Sequence, residues 1–241
     1  MMNPVFSALL AVVASLSFGF AEAATGSGRM ATEPRVVSDF EAVALSGSMD
    51  IVVRQGTKEG VEIQADDNLL PLIETVVEPG SNGRTLQIRF KRGERIYNHG
   101  QIRVTVDVIK LTAVVTAGSG DIFVDGLKTP SFKLTISGSS DAKLNGLVTE
   151  ALEVRISGSG DVLAAGTAKT VKLSIAGSGD AKLAGLQADD VQVRIAGSGD
   201  ASVTANKSLD VSVAGSGDVR YGGNVTAIKT SMAGSGTLSR R

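Results

Sequence analysis

Seven times in the second half of the chain a small residue precedes Gly-Ser-Gly-Asp or a close variant, the first glycines being Gly118, Gly138, Gly158, Gly177, Gly197, Gly215 and Gly234. The intervals are 20, 20, 19, 20, 18 and 19 residues. A period this constant marks a solenoid, in which each unit buries its apolar face only against its neighbours. Ahead of each corner the text alternates: Phe132, Leu134 and Ile136, then Leu152, Val154 and Ile156, then Val171, Leu173 and Ile175. Period two with β-branched residues specifies strand. A second short alternation follows each corner, as in Ala142 and Leu144 or Ala181 and Leu183, and Gly-Leu closes three units at Gly126, Gly146 and Gly185. The reading is all-β: a parallel β-helix with coils of 19 to 20 residues, each of about three short strands, stacked ~4.8 Å apart. A sandwich is the alternative, but it has no reason to repeat one corner at one spacing.

Stacking predicts where side chains go. The residue before each corner is always small (Ala117, Ser137, Ser157, Ala176, Ala196, Ala214, Ala233), as expected of an inward bend with little volume. Both corner glycines are expected to supply positive φ, with Ser140 replacing the second in one coil. Five residues before the corner, Lys133, Glu153, Lys172, Gln192, Asp210 and Lys229 vary in sign up the stack, which favours neighbour attraction.

The corner aspartates Asp121, Asp141, Asp161, Asp180, Asp200 and Asp218 are the candidate binding residues. Stacked carboxylates offer oxygen ligands to calcium. Yet known calcium coils repeat every nine residues or so, whereas one aspartate per ~20-residue coil is too sparse for such a cage. The other reading is that each aspartate caps its own turn by accepting backbone N–H bonds. Two residues beyond lie Phe123, Lys143, Leu163, Lys182, Ser202 and Arg220, so a basic group on alternate coils offsets part of the charge. No metal site and no cofactor is assigned.

The opening "MMNPVFSALLAVVASLSFGFAEA" reads as a signal peptide over residues 1–23, cut after Ala23, with an uncleaved anchor as the alternative. Removing Glu22 with it leaves 24 basic and 24 acidic residues (25 minus 1), which gives no footprint for nucleic acid. Without cysteine, stability rests on packing and hydrogen bonds. Residues 24–35 read as a flexible leader, 36–110 as an irregular cap with the first coils, and 111–241 as regular coils. Within the cap, "FEAVALSGSMDIVVRQG" holds a corner of the same kind ending in Asp50, strands are expected near residues 61–65, 85–91 and 102–108, and a helical turn near 68–74. Catalysis finds little support: His99 is the single histidine, in a loop, and no nucleophile, metal or phosphate-loop constellation can be assembled.

That corner, followed by "VEIQADDNLLPLIETVV", "RTLQIRFKRG", "IRVTVDVIKLTAVVTAGSGDI" and serial Gly-Ser-Gly-Asp coils, resembles the exported bacterial GIN-domain family of autotransporter adhesin heads over residues 36 to 238. The resemblance implies a right-handed parallel β-helix outside the cytoplasm, an adhesive role and no catalytic residues to carry over. Unlike the family name, this chain shows no translocator barrel of its own. The expectation is therefore an exported, non-enzymatic binding or structural module of the envelope, in the periplasm or at the surface. Its ligand would be an envelope, surface or glycan component. A carbohydrate-active β-helix enzyme and a weak calcium-binding solenoid are the alternatives. Self-association is expected at the solenoid ends, because only Arg240 and Arg241 guard the last coil.

Overall fold

The computed structural model describes residues 23–94, 96–97 and 100–241. The signal segment up to residue 22 and His99 lie outside the described residues. The chain begins as β1 (Ala24–Thr25), β2 (Met30–Arg35), β3 (Ala42–Gly47), β4 (Asp50–Gln55) and β5 (Gly60–Asp66), turns through a 3-10 helix at Leu70–Leu72, and continues as β6 (Ile73–Gly80), β7 (Gly83–Phe90), β8 (Ile96–Tyr97) and β9 (Arg103–Val108). The solenoid proper comprises β10 (Ala113–Gly118), β11 (Ile122–Asp125), β12 (Lys128–Gly138), β13 (Ala142–Gly158), β14 (Val162–Gly177), β15 (Ala181–Gly197), β16 (Ala201–Gly215), β17 (Val219–Gly222), β18 (Ala227–Gly234) and β19 (Leu238–Arg240). Stacked parallel strands form a β-solenoid of about six turns.

Corner stacks on corner in strict register. Gly118 pairs with Gly138, then Gly158, Gly177, Gly197, Gly215 and Gly234 follow in parallel ladders. On the other side of Gly118 sits Gly47, so the early corner joins the stack directly. The chain between them loops outward as the cap. There β7 runs parallel beside β3 and β9 beside β4, while β6 folds back antiparallel on β7 and β5 on β9. The leader is not free: β2 lies antiparallel to β5 from Met30 opposite Asp66 to Arg35 opposite Val61, and β1 runs parallel to β8. Its side chains are half exposed on alternate positions, so the backbone ladder rather than burial holds it, which is why a polar text conceals a strand.

Each regular coil is one bent strand of 15 to 17 residues, not three short ones. Backbone pairing continues through most of the bends and stops at each Gly-Ser-Gly-Asp corner. Differences in coil length are absorbed far from that corner, by register shifts between Leu144 and Leu147, Leu163 and Ala165, Leu183 and Gln187, and Ala188 and Asp190. The interior is a continuous apolar column. Ile136, Ile156, Ile175, Ile195 and Val213 are all at most 2% exposed, each burial worth roughly 1.5–3 kcal/mol.

Two corner details differ from the pattern expected. The small residue before the corner faces solvent, as at Ala117, Ser137 and Ala176, and it is the second glycine position that turns inward. Only the first glycine of each pair has positive φ, +133° at Gly177 for example. At Gly179 proximity rather than φ opposes a side chain: a Cβ there would collide with the Gly160 carbonyl and lie 3.0 Å from Ile156. Ser140 and Met49 occupy that inward position at 1% and 0% exposure, without positive φ.

Gly177→Ala meets both a left-handed φ and the Gly158 carbonyl, so a loss of at least about 2 kcal/mol in urea unfolding is expected. Ser178→Ala, on the exposed corner, should stay within about 0.5 kcal/mol. In the core, Thr116 sits 1% exposed beside Ile136, and its hydroxyl has no hydrogen-bond partner. Thr116→Val should therefore stabilise by about 1 kcal/mol in the same measurement.

Candidate functional site

The corner interrupts the backbone ladder, and that leaves the N–H of each aspartate without a carbonyl in the preceding coil. A carboxylate fills the place. Asp50 Oδ1 accepts the Asp121 N–H at 3.0 Å, Asp141 that of Asp161 at 2.8 Å, Asp161 that of Asp180 at 2.9 Å, Asp180 that of Asp200 at 2.9 Å and Asp200 that of Asp218 at 2.8 Å. Asp218 Oδ1 accepts both the N–H and the hydroxyl of Thr237, at 2.9 and 2.7 Å. The aspartate carbonyl in turn accepts from the coil behind, as where the Val162 N–H reaches Asp180 O at 2.8 Å. Each side chain thus caps the next coil and not its own turn. Spacing alone could not distinguish these, because both use the same residue at the same corner.

Of the basic groups beside the row, Lys182 makes an ion pair, its Nζ lying 2.8 Å from Asp161 Oδ2. Lys143 and Arg220 make none among the described residues. Glu153, expected to pair along the stack, instead pairs with Arg155 on its own strand. Electrostatic environments differ accordingly. Burial pushes Asp161 up, but the Lys182 hydrogen bond, the Asp180 N–H and the Lys182 charge together outweigh it and hold the carboxyl below its ordinary range. Asp218 is lowered by the Thr237 hydroxyl and N–H. Asp121 is raised by burial and by the charges of Asp50 and Asp141 on either side.

Asp180, Asp200 and Asp218 line a shallow groove with Lys182, Ser202 and Arg220, about 110 Å³ in volume. Calcium takes six to eight oxygen ligands, and with Oδ1 committed to an N–H the row offers about one free oxygen per ~4.8 Å step. Among the described residues no three acidic, histidine or cysteine side chains are grouped to hold a metal.

The sequence profile of the family described as "Putative auto-transporter adhesin, head GIN domain" matches residues 39–225. The chain belongs to this GIN-domain family. Several crystal structures share its fold. A "putative adhesin" from Bacteroides fragilis is 26% identical over 90% of this chain and 100% of that one, with a TM-score of 0.84. Another from Parabacteroides distasonis is 26% identical over 91% and 100%, at 0.71. A "putative lipid binding protein" from the same species is 25% identical over 91% and 100%, at 0.74. No curated protein matches the chain.

Two features of the outer surface escape a reading by period. The central serines of the corners, Ser48, Ser119, Ser139, Ser159, Ser178, Ser198, Ser216 and Ser235, are all exposed, and Ser48 and Ser119 share a 2.9 Å hydrogen bond. Further along the same side, Phe123 stands 40% exposed where other coils carry Lys143, Lys182, Ser202 and Arg220. Its neighbour Arg54 is remote in sequence, and only the docking of β4 on β11 brings it close.

Asp180→Ala removes the acceptor of the Asp200 N–H and should cost about 1–2 kcal/mol. The pH response separates the row. A lowered carboxyl adds stability that is present above the unfolded pKa and lost as pH falls through the folded one; a raised carboxyl does the opposite. Since Asn keeps an Oδ1 acceptor, Asp121→Asn should raise the melting temperature at pH 7 and Asp161→Asn lower it, with the second deficit shrinking on acidification.

Proposed function

We propose that this protein is an exported, non-catalytic module of the bacterial envelope that works by adhesion-like binding. The observation that supports the reading best is the strict register of the exposed corner face from Gly47 to Gly234, with every length change placed elsewhere. Such a rod holds its side chains in fixed rows, which suits binding an extended surface. It suits acid–base chemistry poorly, since one oxygen of each of these carboxylates is committed to the next coil's backbone. The family description and two neighbours named as adhesins agree with this reading. Export rests on the signal-like N-terminal text, which would release a chain beginning at Ala24.

Cell fractionation and N-terminal sequencing should find the protein outside the cytoplasm, starting at Ala24; a cytoplasmic, full-length chain overturns export. Beads coated with the mature protein should adhere to bacterial or host surfaces above a heat-unfolded control. Release of product from acidic polysaccharides would overturn the non-catalytic reading. Adding millimolar calcium, or removing it with a chelator, should leave the melting temperature unchanged; a rise with calcium would show that the row holds cations.

A further inference from the structure

We propose that the outer surface around Phe123 is a binding site for an uncharged sugar, with one face of a pyranose ring laid on the phenyl ring and its hydroxyls held by Asp125, Asn145 and Arg54. The proposal names a ligand class for the adhesion-like reading and rests on it. Phe123 is the starting point. Aromatic residues make up only 4% of the chain, and Phe40 and Phe132 are packed inside at 3% and 1% exposure, whereas Phe123 turns outward at 40%. Nothing in the fold requires a ring there, because the equivalent position in later coils is basic, serine or leucine.

Register sets the surroundings. Val52 and Lys143 flank Phe123 on the adjacent strands, and two residues further on Arg54, Asp125 and Asn145 form a second row across the same three strands. These side chains line a depression of about 330 Å³. Neighbouring strands lie ~4.8 Å apart and same-face residues in a strand ~6.7 Å apart. A single sugar ring over Phe123 therefore spans the distance to the second row.

The polar groups in this depression divide into two kinds. Gln55 is structural: its amide donates to Ile109 O at 3.1 Å and Lys128 O at 3.0 Å and accepts the Lys128 N–H at 2.8 Å. Among the described residues the side chains of Arg54, Asp125, Lys143 and Asn145 make no hydrogen bond or ion pair, although Arg54 and Asp125 are cross-strand neighbours. An apolar platform edged by a few uncommitted donors and acceptors is the usual composition of a small-ligand site. The carboxylate and amide suit hydroxyls, which both donate and accept. Charge selects the neutral class. Arg54 and Lys143 are outnumbered by Asp125 and by Asp50, Asp121 and Asp141, which lie two residues before Val52, Phe123 and Lys143 on the same face, so an added carboxylate or sulfate would gain no net attraction.

Ligand-observed NMR and calorimetry with gluco-, manno- and galacto-configured neutral oligosaccharides, alongside a uronate oligosaccharide, test the site. At least one neutral series should bind with a millimolar or tighter dissociation constant, and the uronate more weakly. Phe123→Leu, which mimics the Leu163 two coils on, should lose roughly tenfold in affinity with an unchanged melting temperature, and Asn145→Ala a few-fold. No saturation by any neutral series at about 10 mM, wild-type affinity in Phe123→Leu, or tighter uronate binding overturns the proposal. Coated beads separate the two readings. Wild-type adhesion retained by Phe123→Leu refutes the sugar site and leaves the module standing, while absence of wild-type adhesion refutes the module itself.

Discussion

Everything in this molecule hangs on how closely the backbone of one corner approaches the next. The Gly158 carbonyl accepts the Ser178 N–H at 2.9 Å and occupies the space where a side chain on Gly177 would have to go. The same contact recurs at each step from Gly118 to Gly234. A parallel stack tolerates no larger spacing at one edge than at the others without splaying, so the corner sets the pitch for the whole coil. Hydrophobic burial then supplies most of the driving force, but it acts on a geometry the glycines permit.

This explains why the architecture was readable. The period, the inward apolar columns and the docking of the Gly47 corner follow from residues that stacking leaves no choice about. What escaped the reading depended on contacts made across long sequence separations or by backbone alone. The small residue ahead of the corner looked like a tight interior position, yet Ala176 and its equivalents face solvent, since the chain bends with Gly179 inward. Small size there is compatible with two opposite faces, and only the register of the apolar neighbours in space decides. The strand at Met30–Arg35 was hidden for another reason: it buries little, and its partner β5 lies some thirty residues on.

The aspartates stand in one row, and the N–H that each accepts lies in the following coil. An Asx-type cap and a forward cap demand the same residue type, and they differ by one coil in which N–H is satisfied. The forward cap has a physical consequence that an isolated turn would lack: Asp50, Asp141, Asp161, Asp180 and Asp200 each accept from the residue bearing the next carboxylate. Adjacent charges repel by roughly 0.8 kcal/mol at about 5 Å in water, less than a charged hydrogen bond contributes, so their repulsion alone does not call for a cation. The margin is uneven. Asp161 has Lys182 beside it, whereas Asp121 stands between Asp50 and Asp141 with a phenyl ring two residues on, and its carboxyl is pushed up.

That unevenness bears on where specificity can reside. Positions on the corner are bound by the stack: the glycines by space, the aspartates by the N–H they satisfy. Positions two and four residues beyond the aspartate carry no such obligation, and there the chemistry changes from coil to coil, through Phe123, Lys143, Leu163 and Lys182 in one column and Arg54, Asp125 and Asn145 in the next. A solenoid separates the two tasks by geometry. The corner keeps the rows in register, and the freed columns beside it can present an apolar ring among uncommitted polar groups at fixed spacing, which a loop could do only by giving up conformational entropy on binding.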